Sequence, residues 1–106
     1  MSDFELVESG AGRFDLRGDM SFNTAENILQ LSKRLFKWPA RIEVNLAGVQ
    51  RADAAGLALL LEWIALARQS QGEICFAAIP AKVKAIAETA EVAQLIGQNH
   101  SASSKK

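Results

Sequence analysis

Apolar and polar residues alternate over two short runs near the amino end, Phe4–Glu8 and Arg13–Arg17, separated by Ser9-Gly10-Ala11-Gly12. Period-two alternation sends successive side chains to opposite faces of a strand, and glycines supply turn geometry, so the pair predicts a β-hairpin. A polar loop follows Gly18. Asn23-Thr24-Ala25-Glu26 then has the form of a helix start with a capping-box glutamate, and Ile28, Leu31 and Leu35 share one face of the helix it opens. That helix stops at Trp38-Pro39, because proline disfavours the helical conformation at the residue before it.

Arg41–Ala47 alternates again, with Ile42, Val44 and Leu46 on one side, and predicts a third strand. Gly48–Ala52 reads as a loop into a second helix, from Ala54 to about Gln71, closed by Gly72. Ile74–Ile79 is a continuous apolar run, the pattern of a strand buried on both faces. Pro80 suits the first turn of a third helix with Val83, Ile86, Ala87 and Ala90 on one face, and Val92, Leu95 and Ile96 are expected over one end of the core. The order β-β-α-β-α-β-α joins an antiparallel hairpin to parallel crossovers. It predicts one α/β domain over residues 1–97, a small mixed sheet with packed helices, and a frayed polar tail at 98–106.

Composition narrows the function classes. A chain of 106 residues suits one domain, and its 12 basic and 12 acidic residues cancel, so no net field recruits nucleic acid or anionic lipid. Cys75 has no partner for an intrachain disulfide, which fits a reducing compartment. The single histidine, His100, lies in the expected tail, which argues against a histidine-based catalytic site, and one Cys with one His gives no metal-ligand spacing. No Walker loop is present. The most apolar stretch, Ala54–Ala67, carries Glu62 and is shorter than the roughly 20 residues that cross a bilayer. The first residues lack the basic and apolar regions of a signal peptide. These features point to a binding module without catalytic residues, cofactor or metal, with no nucleic-acid partner and no direct insertion into a membrane.

The start of the second helix is the most informative segment. Asp53 is an N-cap residue whose carboxylate can accept from the backbone N–H of Ala55 or Gly56 and complement the helix macrodipole. Gly56 is a poor helix former, which suggests that either a partner or the preceding loop approaches the backbone there. Leu57, Leu60, Leu61, Ile64 and Ala67 make one apolar stripe facing the sheet, while Leu59, Trp63 and Leu66 make a second, interrupted by Glu62 and Gln69. A tryptophan on that second stripe either anchors an interface or tucks against another helix of the same domain, and we read it as an interface anchor.

A strand leading through a short loop into Asp53-Ala54-Ala55-Gly56-Leu57 and a leucine-rich helix resembles the STAS domain of sulphate transporters and anti-sigma-factor antagonists. The resemblance spans about Phe4 to Ile96 and takes in Leu16-Arg17-Gly18-Asp19-Met20 and Pro80-Ala81-Lys82-Val83. Anti-sigma-factor antagonists usually carry a phosphorylatable serine at the position of Ala55, so the resemblance implies no phosphorylation site here. The chain is more similar to the small STAS subunit of Mla-type phospholipid-transport ABC complexes, which often has threonine where Ala54 stands. That similarity implies a cytoplasmic, non-enzymatic subunit, peripheral at the inner face of the inner membrane. Such a subunit binds the transporter ATPase, with its permease, and supports it in maintaining outer-membrane lipid asymmetry. The expected docking residues are Arg51, Asp53, Ala54, Ala55, Gly56, Leu59, Glu62, Trp63 and Leu66. The alternative is an anti-sigma-factor antagonist that lacks the serine and binds its partner constitutively; homodimerisation stays open.

Overall fold

The alternating runs at the amino end pair as strands β1 (Phe4–Gly10) and β2 (Arg13–Met20), with Leu6 opposite Leu16 and Val7 opposite Asp15. In this computed structural model, which describes residues 3–97, the turn between them uses Gly12 at φ 74°, a region that only glycine enters freely. A Cβ at Gly12 would also collide with the Arg41 carbonyl. The chain continues through α1 (Ala25–Leu35), β3 (Arg41–Ala52), α2 (Ala54–Gln69), β4 (Glu73–Ala77), α3 (Ala81–Thr89) and α4 (Ala93–Gly97). The four strands lie in the order β1-β2-β3-β4; the first pair is antiparallel and the other two are parallel.

The strands have one buried face and one open face. Leu6, Phe14, Leu16, Ile42, Val44, Leu46 and Ile74 point inward and are buried against the helical layer. Their neighbours Glu5, Arg13, Asp15, Arg17, Glu43 and Asn45 point the other way and remain at least partly accessible. Ion pairs lace that open face, with Arg17 reaching Glu5 at 3.2 Å and Asp15 at 3.3 Å, and Arg41 reaching Glu73 at 3.5 Å. Exposed pairs of this kind each contribute about 0–1 kcal/mol, so the buried apolar face, not the charged one, holds the layers together.

The α/β class and the mixed sheet agree with the sequence pattern, while several boundaries differ for physical reasons. β3 runs on to Ala52, because Gly48–Ala52 pairs with Arg17–Met20 instead of forming a loop. Register shifts between Asp15 and Arg17 and between Gly18 and Asp19 break the alternation that would have revealed it. β4 ends at Ala77 and is an edge strand with only Ile74 fully buried, not a strand covered on both faces to Ile79. The N-cap of α1 is Thr24, and its side chain makes no cap bond. Its hydroxyl turns inward, donating to the Asp19 carbonyl at 2.8 Å and accepting from the Ser21 N–H at 3.0 Å. Near the carboxyl end a short helix, α4, forms, in which Ile96 is buried and Leu95 exposed, while Val92 just before it is half-buried. The tail expected at 98–106 lies outside the described residues.

Candidate functional site

Asp53 caps α2 as its chemistry predicts. One carboxylate oxygen accepts from the Ala55 N–H at 2.9 Å, and the other accepts from the Phe22 N–H at 3.1 Å. One side chain therefore fixes two segments, the first turn of α2 and the β2–α1 turn 31 residues earlier. That earlier turn is braced from within. Besides the Thr24 bonds already described, the Ser21 hydroxyl accepts from the Asn23 N–H at 3.3 Å, and Ser21 and Thr24 are buried.

Gly56 explains why the two segments lie so close. A Cβ there would meet the Met20 carbonyl oxygen at 2.8 Å and the Met20 methyl at 3.0 Å. The close approach that its low helix propensity suggested is therefore made by this chain's own β2 end. Gly56 is buried and presents nothing to a partner.

Leu59 and Trp63 of the second apolar stripe of α2 are likewise internal, which corrects their reading as interface residues. Trp63 is 0% exposed and Leu59 3%. The Trp63 indole N–H donates to the Ser32 hydroxyl of α1 at 2.8 Å, and Ser32 passes a bond on to the Leu29 carbonyl at 2.7 Å. The indole also packs 5.5 Å from Phe36 and stacks 6.2 Å from Phe76 (centroid distances). α1 lies on this flank of α2 and covers the surface that an isolated helix on a sheet would have left open. A buried tryptophan with its N–H satisfied is a core residue.

What remains accessible is the amino end and outer ridge of α2. Of the nine expected docking residues, Arg51, Ala54 and Glu62 are exposed, Asp53, Ala55 and Leu66 are half-buried, and Gly56, Leu59 and Trp63 are interior. Ala54, Ala58 and Glu62 recur every four residues and form one exposed ridge, of which Ala58 had escaped the sequence reading. Arg51 makes no ion pair among the described residues. Phe22, whose backbone N–H is held by Asp53 at the start of α2, has a side chain that is 83% exposed. The only signal for it in the sequence is a bulky aromatic inside the polar turn Ser21-Phe22-Asn23.

Among the described residues no group of three or more His, Cys, Asp or Glu side chains could hold a metal, and no helix is long and apolar enough to cross a membrane. Cys75 lies on the sheet away from α2's amino end. Burial pushes its thiol pKa up, Glu43 and Glu73 add to the effect and Arg41 opposes it, which disfavours the reactive thiolate.

The sequence matches the family model described as "Mlab, STAS domain" over residues 7–97. No curated protein matches the sequence. Among solved structures, one described as the anti-sigma factor antagonist SpoIIAA in its unphosphorylated form superimposes with a TM-score of 0.64. It is 16% identical, and the match covers 86% of this chain and 83% of that one, so the likeness is one of fold. A strand-loop-helix unit capped by Asp53, set in a four-stranded mixed sheet and matched over nearly the whole described chain, places this protein in the MlaB-like STAS domain family.

Proposed function

We propose that this protein is a non-enzymatic subunit that binds the ATPase of a phospholipid-transport ABC complex of the Mla type, on the cytoplasmic side of the membrane. Support comes from two sides. The family match is to the MlaB-like branch, and STAS domains generally act by binding other proteins. The observation that carries the reading is the accessible amino end of α2, where Asp53 fixes the backbone and Ala54, Ala55 and Ala58 keep side chains short. Small side chains on a rigid helix start let a partner's backbone approach closely, and Arg51 offers guanidinium donors to an acidic group beside it. The ATPase would gain a fixed surface against which to assemble; its lipid substrate would never touch this subunit.

Ala55 bears on the second reading, an anti-sigma-factor antagonist, which the SpoIIAA-like fold also accommodates. With a methyl group where that branch usually carries a serine hydroxyl, no phosphate can be attached there to switch binding off. Such an antagonist would bind without regulation at this position, which makes the transporter reading the better supported one. Affinity purification of the tagged protein from its native cell, with identification of the subunits retained, separates the two. An ABC ATPase with its permease is the expected result. A sigma-regulating kinase in their place would overturn the transporter reading.

A further inference from the structure

The two edges of the sheet differ. β4 is five residues long and α4 packs against it, whereas β1 runs for seven residues with neither proline nor lysine, two residues that commonly guard an edge. The phase of β1 follows from the bond that the Asp19 N–H donates to the Asp3 carbonyl at 2.9 Å. Bonding positions alternate along an antiparallel pair, so Glu5 and Val7 turn their backbone groups toward Arg17 and Asp15 of β2. Phe4, Leu6 and Glu8 turn theirs outward. Among the described residues no hydrogen bond from outside the sheet reaches those three backbones.

We propose that a second copy of this chain fills that edge, β1 against β1, antiparallel about a two-fold axis at Leu6, so that the two sheets become one. The charge order of the strand decides the occupant. About Leu6, Phe4 stands opposite Glu8 of the second copy and Glu5 opposite its Val7, so no charge faces its like. Glu5 is also paired with Arg17 of its own chain at 3.2 Å. Moving the axis to Phe4, Glu5 or Glu8 sets Glu5 against Asp3, Glu5 against itself or Glu8 against itself. An axis at Val7 pairs Phe4 with Gly10, across the irregularity between Glu8 and Gly10. The strand is thus complementary to itself in one register, as a two-fold contact requires. α1 adds a second complementarity. It packs against β1 and runs the same way, from Thr24 at the Asp19 end to Phe36, whose ring lies 4.8 Å from that of Phe14, the residue paired with Glu8. The axis therefore sets the two α1 helices antiparallel on one face of the joined sheet. Glu26 in the first turn of each then lies toward Lys33 and Arg34 in the last turn of the other. A foreign strand can supply the backbone bonds alone, while the charge order of both β1 and α1 is met by this chain itself. The transporter reading is not needed for any of these steps.

Sedimentation equilibrium of the purified protein from micromolar to millimolar concentration, repeated with Glu8→Pro, Val7→Lys and Val7→Glu, tests this. The wild type is expected to form a dimer. Glu8→Pro removes an outward N–H that an edge strand folds without, and should weaken the dimer roughly tenfold or more at an unchanged urea midpoint. Val7→Lys faces Glu5 of the second copy and should tighten the dimer, and Val7→Glu should weaken it, each by roughly threefold to tenfold. Should Glu8→Pro lower the midpoint, the opposite signs of the two Val7 variants decide. A wild type that stays monomeric at the highest concentration would overturn the proposal. So would self-association untouched by Glu8→Pro, or a dimer weakened as much by Val7→Lys as by Val7→Glu, since each places the contact elsewhere.

Discussion

The middle of α2 and its amino end carry similar sequence credentials and do opposite work. Around Leu59 and Trp63 the helix is apolar on a flank that faces away from the sheet, yet α1 covers it and both residues are interior. Around Asp53–Ala58 most side chains are small and individually unremarkable, yet Ala54 and Ala58 are exposed and Asp53 and Ala55 half-buried, and Asp53 holds the backbone of the most exposed aromatic of the described chain. Hydrophobicity located the interior of this molecule, including the part of it formed between two helices. Exposure is set by which element ends up alongside, and that depends on the long-range packing of α1 against α2.

The difference can be broken or sharpened by substitution. The largest effect is expected in the middle of the helix. Trp63→Ala removes the biggest fully buried side chain and leaves the Ser32 hydroxyl oxygen without the N–H it accepts from, and should cost about 3–5 kcal/mol in urea unfolding. A loss under about 1 kcal/mol would mean that the indole is not packed as described. Gly56→Ala places a methyl against the Met20 carbonyl and should cost about 1–3 kcal/mol, unless the β2 end shifts away. Asp53→Ala removes both the cap of α2 and the tether to Phe22, with an expected loss of about 1–2 kcal/mol and faster amide exchange at Phe22 and Ala55. Unchanged exchange at both amides would show that the carboxylate does not bridge the two segments.

The smallest effect belongs to Cys75, on the other side of the molecule. A thiol pKa raised in the fold means that the folded state holds this proton more tightly than the unfolded chain does. Its contribution to stability is therefore full below the unfolded thiol's pKa and disappears as pH rises through the folded one. Alkylation near neutral pH should be slower in the native protein than in the urea-unfolded chain. Equal rates would contradict the burial that raises the pKa.

Much of the fold was legible because its signals are local. The period-two runs of β1, β2 and the first half of β3, the Asp53 cap and the Pro80 helix start all depend on neighbours within a few residues. The second half of β3 was hidden by its register shifts, and the edge position of β4 by a composition that suits a central strand equally well. The candidate site was legible in Asp53, Ala54 and Ala55, where the requirement is local. Trp63 was misplaced and Phe22 overlooked for one shared reason. Each is decided by a contact 31 residues away in sequence, Ser32 with Trp63 and Phe22 with Asp53, that periodicity does not encode.

The claim on which the functional account depends is that a partner meets the amino end of α2 and not its middle. Ala58→Glu tests it most directly, since Ala58 is exposed on the ridge, and the change adds bulk and charge there while leaving the interior alone. The account predicts that the variant keeps the wild-type urea midpoint to within about 0.5 kcal/mol and no longer retains the ATPase subunit on affinity resin. Full retention of the ATPase by a folded Ala58→Glu protein would contradict it.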